Sequence, residues 1–142
     1  MKTLKFKNIT AAILLLVTTM VTFAHPKPTD IKVPEVENRG GIYYLEVNAE
    51  TSFERGYQQG AALKDVIAEG IVDFDNWIQE HSDFANGIEM AAEFTKETTY
   101  MNDLKENLPD LYEELEAMSE GSGISKEVLF LYNSLDEYLA WL

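Results

Sequence analysis

Residues 51–60 read TSFERGYQQG, a stretch that combines the start of a helix with two glycines one helical turn apart. Thr51 and Glu54 fit a capping box, in which the Thr51 hydroxyl accepts a hydrogen bond from the Glu54 amide and the Glu54 carboxylate accepts one from the Thr51 amide. A helix is therefore predicted to begin here. Gly56 and Gly60 each cost up to about 1 kcal/mol in a helix interior. Two such glycines indicate either that another backbone approaches the helix closely or that the helix is irregular at its start, and we favour the close approach.

The apolar spacing that follows this stretch predicts a mostly α fold. The first helix should continue to about residue 78, because its apolar residues fall on one stripe. A second helix is predicted over 83–101, with Asn86-Gly87 as a break near its start. The stripe of the first helix consists of Phe53, Tyr57, Ile67, Ile71, Phe74 and Ile78.

Two more helices are predicted toward the C-terminus. Pro109 suits the first turn of a third helix over 110–120, which Gly121 should end. Ser125 is a natural N-cap for a fourth helix that reaches Leu139. This last helix is apolar almost all round, so we expect the natural fold to continue past the final residue. The third helix presents one face made of Leu111, Leu115 and Met118.

Upstream of residue 51 the sequence predicts one β-strand near 42–47, where the residues are aromatic and β-branched. The segment 25–41 contains Pro26, Pro28 and Pro34 and is predicted to be an extended linker. A lone strand leaves backbone hydrogen-bonding groups unpaired. We therefore expect the strand to pair across a dimer or to belong to a sheet that another polypeptide supplies.

The segment 1–24 has the pattern of a signal peptide. Lys2, Lys5 and Lys7 precede an apolar run over 11–21, and small residues lead up to a predicted cleavage after Ala24. The run is too short to span a bilayer comfortably, and lipid attachment would need a cysteine that the sequence lacks. We therefore expect an exported protein, periplasmic or extracellular, without a stable membrane anchor. Cleavage would leave 118 of the 142 residues.

Charge and cysteine content exclude several classes of function. The sequence has 11 Lys and Arg against 25 Asp and Glu, a formal charge of -14, and removal of the three leader lysines takes it to -17. Such a chain repels phosphate backbones, so no nucleic acid partner is expected. Without cysteine there can be no disulfide and no thiolate metal site, and the acids lack a calcium-loop pattern. We expect no metal and no cofactor.

Two stretches together resemble the acyl-coenzyme A:isopenicillin N (6-aminopenicillanic acid) acyltransferase family of autoproteolytic, N-terminal-nucleophile amide hydrolases. Their order and spacing carry the resemblance, since each motif alone has an ordinary packing explanation. The match extends over roughly residues 43–137. The stretches are ERGYQQG (54–60) with Leu63-Lys64, and YEEL (112–115) through EGSGIS (120–125) to Asn133 and Glu137.

The resemblance implies an αββα fold whose nucleophile is a cysteine at a newly exposed N-terminus. The matched region precedes that cysteine in the family, and this chain contains none. The resemblance therefore implies the N-terminal helical portion of such an enzyme, within 42–142, incomplete at its C-terminus and lacking most of the sheets. No residue is assigned a catalytic role, and whether the chain belongs to a working enzyme stays open. Its partner would be the cysteine-bearing remainder, and a small amide substrate would bind only in the complete enzyme.

Three residues are candidates for pocket or structural support. Arg55 could reach a substrate carboxylate or the pocket rim in a complete enzyme, or it could pair with Glu54, Asp65 or an acid of a partner. Asn133 and Glu137 lie four apart on the predicted fourth helix and should share one face. They either form a structural hydrogen bond or, as the resemblance implies, support the chain that enters the nucleophile segment.

A second hypothesis comes from a different class of function. An acidic, mostly helical chain of this size can stand alone and bind a peptide or protein in an apolar groove between helices. The two hypotheses differ in whether the partner completes an amide-bond enzyme.

Overall fold

The computed structural model describes residues 26–141, and this range is mostly helical. The predicted leader over 1–24 lies outside the described residues. A short 3-10 turn at Pro28–Asp30 and a two-stranded hairpin, β1 (Val36–Arg39) and β2 (Ile42–Leu45), come first. The helices of the described range are α1 (Ser52–Ala62), α2 (Lys64–His81), α3 (Gly87–Glu97), α4 (Tyr100–Asn107), α5 (Pro109–Ser122), α6 (Lys126–Asn133) and α7 (Leu135–Trp141).

The hairpin corrects the prediction of a linker followed by a lone strand. β1 and β2 pair antiparallel, with Val36 opposite Leu45 and a two-residue turn at Gly40 and Gly41. Both glycines have positive φ, 64° and 90°, as a type I′ hairpin turn requires. The strand predicted near 42–47 is present as β2, but it is paired and not alone, since β1 occupies the end of the segment 25–41 that was predicted to be an extended linker. The partner strand was missed because residues 36–39 contain one apolar side chain and show no alternation.

The capping box at the start of α1 is confirmed. The Glu54 amide donates to Thr51 Oγ1 (3.1 Å), and the Thr51 amide donates to Glu54 Oε2 (3.2 Å). The predicted single helix to about residue 78 is instead divided into α1 and α2 at Leu63. This residue departs from helical geometry (φ -100°, ψ 13°), although neither glycine nor proline marks the position.

The predicted helix over 83–101 is also two helices, α3 and α4. Asn86 caps α3 by accepting the amide of Glu89 (3.0 Å), so the helix begins at Gly87 and not at residue 83. Thr98 is extended (φ -122°, ψ 162°) and ends α3. The break at Asn86-Gly87 was predicted, whereas the break at Thr98 was not.

The third predicted helix corresponds to α5, but its end was placed too early. Gly121 lies inside the helix, which continues to Ser122. The end is set by Gly123, whose φ of 78° lies in the left-handed region that commonly terminates helices.

The fourth predicted helix begins correctly and then breaks. Ser125 caps α6 by accepting the amide of Val128 (3.3 Å). The helix was predicted to reach Leu139, but Ser134 (φ -115°, ψ 30°) separates α6 from α7. The side chains on either side of Ser134 therefore do not follow the spacing of a single helix.

The core lies between α2, α3, α6 and α7. Phe94 of α3 packs edge-on against Tyr138 of α7, with ring centroids 5.5 Å apart. α1 lies outside this cluster and packs on α5, which also contacts α2, α4 and α6. The buried cluster consists of Phe74, Ile78, Met90, Ala91, Phe94, Val128, Leu131 and Tyr138.

Candidate functional site

The closest helix contact in the described region joins α1 to α5 and depends on glycine. A Cβ at Gly56 would overlap the backbone carbonyl of Glu114, and a Cβ at Gly60 would overlap that of Met118. On α5, a Cβ at Gly121 would lie 2.6 Å from a carbonyl oxygen of α1. The close approach predicted at Gly56 and Gly60 is therefore confirmed. The two helices run in the same direction, because positions 56 and 60 match positions 114 and 118.

Arg55 lies at this contact and is held by α5. Its Nε donates to Glu114 Oε2 (3.1 Å) and its terminal guanidinium nitrogen donates to Ser52 Oγ (2.9 Å). Gln59 donates to the other oxygen of Glu114 (2.9 Å), so the carboxylate bridges two α1 side chains. The sequence suggested acids near Arg55 in the chain, whereas its partner lies 59 positions away. Arg55 remains about 40% exposed and is available to a further ligand at its outer edge.

Asn133 and Glu137 are brought to the same surface, but not as a pair on one helix. Asn133 ends α6, and its side-chain amide donates to the Leu129 carbonyl (2.7 Å). Glu137 belongs to α7, beyond the break at Ser134. Both residues are exposed, so they do not form the polar pair in apolar surroundings that the predicted single helix suggested.

The surface that they share is an apolar groove, formed by three adjoining depressions of about 420, 270 and 350 Å³. The first lies between α4, α5 and α6. It shares Met118 and Asn133 with the second, which lies against α1 and α2. It shares Leu104 and Phe130 with the third, where Glu137 lies at the edge. These three depressions together are called the groove.

One wall of the groove is a stripe of apolar side chains on α4 and α5. The stripe crosses the helix junction at Leu108, whose carbonyl accepts hydrogen bonds from the amides of Leu111 and Tyr112. Leu108 is 55% exposed and Leu111 is 51% exposed, so these leucines face the groove and not the core. Ala117, which is not part of the predicted face of Leu111, Leu115 and Met118, is the residue of α5 with no exposed surface. The stripe consists of Leu104, Leu108, Leu111, Leu115 and Met118.

The hairpin is a second exposed apolar surface. Ile42 is 60% exposed, and Tyr43 and Tyr44 are each 45% exposed. The Arg39 guanidinium lies 4.6 Å from the centre of the Tyr44 ring. Within residues 26–141 the sheet has only two strands, so each strand has one edge without a neighbouring strand.

Gln58 fixes the base of the hairpin to α1 and was missed from the sequence. It is buried, and its amide nitrogen donates to the carbonyls of Lys32 and Asn48 (both 3.1 Å). Its amide oxygen accepts the Asn48 amide (3.2 Å). Its position between two glycines was the available signal, since a long polar side chain on a closely packed helix face needs partners.

A second charged group on α5 involves Lys126 of α6. Lys126 donates to Glu116 (2.6 Å) and to the Tyr112 hydroxyl (2.7 Å). The hydrogen bond from Lys126 holds the pKa of the Glu116 carboxyl below its usual value. This group joins α5 to α6 and lies at the surface, since the Glu116 side chain is 48% exposed.

Two further observations concern only residues 26–141. No group of three or more His, Cys, Asp or Glu side chains is arranged to hold a metal ion. No helix in this range has the length and apolar character needed to cross a membrane.

Comparison of the chain with protein-family models, curated proteins and solved structures gave no match.

Proposed function

We propose that this chain is the N-terminal, non-catalytic segment of an exported acyltransferase or amide hydrolase that acts on carbon–nitrogen amide bonds. The nucleophilic cysteine would be carried by the remainder of the enzyme, because this sequence has no cysteine. The proposal starts from the resemblance to the isopenicillin N acyltransferase family.

The observation that carries the proposal is the contact between the two stretches on which the resemblance rests. Arg55 and Gly56 of the first stretch meet Glu114 of the second, and Gly121 of the second meets the backbone of the first. Two short motifs that matched by chance would have no reason to be complementary in space. Their mutual packing supports a common structural unit as the origin of both.

The role of the segment would be to present surfaces on which the remainder folds. The two open edges of the hairpin can accept further strands, as a sheet-rich remainder would require. The groove can receive an apolar segment, with Asn133 and Glu137 at its border. In this arrangement Arg55, Asn133 and Glu137 support the site, and the small amide substrate binds only when the remainder is present.

Reconstitution tests the proposal. Residues 25–142 would be co-expressed with the cysteine-bearing catalytic portion of a family member, and hydrolysis of a panel of N-acyl amides would be measured. We expect no turnover from the chain alone and turnover from the complex. The matched control is the same complex with the nucleophilic cysteine replaced by alanine, which should assemble but remain silent. A folded complex without turnover, or turnover by the chain alone, contradicts the proposal.

The groove also favours a second candidate, a stand-alone acidic helical protein that binds a peptide or protein partner. Its apolar walls and exposed leucines are suited to a ligand with no role in amide chemistry. This second candidate is favoured if a defined partner binds the groove tightly while no cysteine-bearing polypeptide produces turnover with the chain.

A further inference from the structure

The groove carries the spacing of a helix-binding seam. On α5, Leu111, Leu115 and Met118 are spaced 4 and 3 apart, which is the pattern that packs one helix along another. Leu104 and Leu108 precede them across the break between α4 and α5. From Leu104 to Met118 the stripe includes 15 residues, divided between α4 and α5. In the structure this seam is not covered by another helix along its middle, because Leu108 and Leu111 are both more than half exposed.

The charged residues of the groove all have one sign. Among residues 26–141, its charged lining residues are Asp103, Glu114 and Glu137, and no lysine, arginine or histidine of this range lines it. Glu114 is already paired with Arg55, whereas Asp103 and Glu137 lie at the α4 and α7 border. A ligand that places cations beside this border gains favourable electrostatic interaction, and an acidic ligand is repelled.

We propose that the groove binds a single amphipathic α-helix of a partner protein, with an apolar stripe flanked by lysine or arginine. A helix is the suitable conformation because it satisfies its own backbone hydrogen bonds, whereas an extended segment would leave many unpaired on an apolar floor. A second copy of this chain is a poor occupant, since it would set acidic borders against acidic borders. The inference holds for an enzyme remainder and for an unrelated partner, and its test does not use amide turnover.

The probe is a synthetic helical peptide with leucine at alternating intervals of 3 and 4 and lysine on both flanks. Its first control has the same composition with the leucine spacing scrambled, and its second control has glutamate in place of lysine. Binding to residues 25–142 would be measured by fluorescence anisotropy at physiological ionic strength, where long-range attraction is screened. We expect the first peptide to bind at least about tenfold more tightly than either control, a difference of about 1.4 kcal/mol.

Two variants of the protein locate the binding site. Leu111→Lys places a cation in the middle of the groove, and Ile88→Lys makes the same change on α3, where Ile88 is 70% exposed and outside the groove. Both side chains are largely exposed, so both variants should keep the melting temperature within a few degrees. We expect Leu111→Lys to weaken peptide binding at least about tenfold and Ile88→Lys to leave it unchanged within about twofold.

Three results would overturn the proposal. The first is equal binding of the scrambled peptide, which would mean attraction by charge alone. The second is equal loss of affinity in both variants. The third is a dimer of the chain, detected by sedimentation, that Leu111→Lys converts to monomer while the peptide does not compete, because the occupant would then be a second copy.

Discussion

Replacement of Gly60 by alanine separates two opposite effects on stability. In an ordinary helix interior alanine is favoured over glycine by up to about 1 kcal/mol. At Gly60, however, the new Cβ would overlap the Met118 carbonyl oxygen and lie 2.9 Å from both Met118 C and Met118 Cα. All three atoms belong to the α5 backbone, so no side chain can rotate away and the two helices must move apart.

The magnitude follows from these two terms. Overpacking of a close contact costs about 1–3 kcal/mol, and the upper end applies where backbone must move. Subtraction of the helix-propensity gain leaves a net loss of about 2 kcal/mol. For a domain of this size about 1 kcal/mol corresponds to about 4 °C, so Gly60→Ala should lower the melting temperature by about 8 °C.

Gly70→Ala is the matched control. Gly70 also lies in a helix interior, but its Cβ would meet only the Tyr132 hydroxyl at 3.7 Å, an ordinary contact. This variant should therefore raise the melting temperature by up to about 4 °C. Both melts would be followed by far-ultraviolet circular dichroism on residues 25–142. A rise in Gly60→Ala equal to that in Gly70→Ala would refute the close α1–α5 contact.

Two further predictions concern charged groups. Arg55→Met should lower the free energy of unfolding by about 1 kcal/mol, because the partly exposed pair with Glu114 is lost. In urea unfolding, the double variant Arg55→Met/Glu114→Gln should lose clearly less free energy of unfolding than the sum of the two single variants. Strict additivity would show that the two side chains are not coupled. Lys126→Met should cost about 0.5 kcal/mol at neutral pH. The Lys126 hydrogen bond lowers the folded-state pKa of Glu116, so this stabilisation is present above the usual carboxyl value of 4.5 and is lost as pH falls through the lowered pKa. The stability gap between wild type and Lys126→Met, measured by urea unfolding, should therefore close in acid, and a gap that does not change with pH would contradict the role of Glu116.

Local signals in the sequence predicted the features that depend on neighbouring residues. The capping box of Thr51 and Glu54 and the N-cap at Ser125 need only a few residues, and both are present in the structure. The glycines at 56 and 60 correctly indicated a close backbone, since each glycine lowers the stability of the helix and two of them need a compensating contact. The neighbour itself, α5, could not be identified, because nothing near residue 60 specifies residue 118.

The features that were missed depend on tertiary contacts. The breaks at Leu63 and Ser134 contain neither glycine nor proline, so their origin lies in how the flanking helices pack. Leu111 belongs to an apolar face, and periodicity cannot tell a face that meets the core from one that lines a groove. The joint position of Asn133 and Glu137 at the groove likewise depends on the turn at Ser134 and not on helical spacing.

The α1–α5 contact also governs the order in which the chain can fold as it is made. Its two halves are separated by 58 positions, from Gly60 to Met118. Closing a loop of that length costs about 4 kcal/mol of chain entropy before the contact forms. At roughly 5–20 residues per second, synthesis reaches α5 about 3–12 s after α1 has emerged. During that interval α1 lacks its α5 partner, and α2 and α3 lack α6 and α7, which complete the core. None of the early helices is therefore fully packed until the C-terminal half has been made.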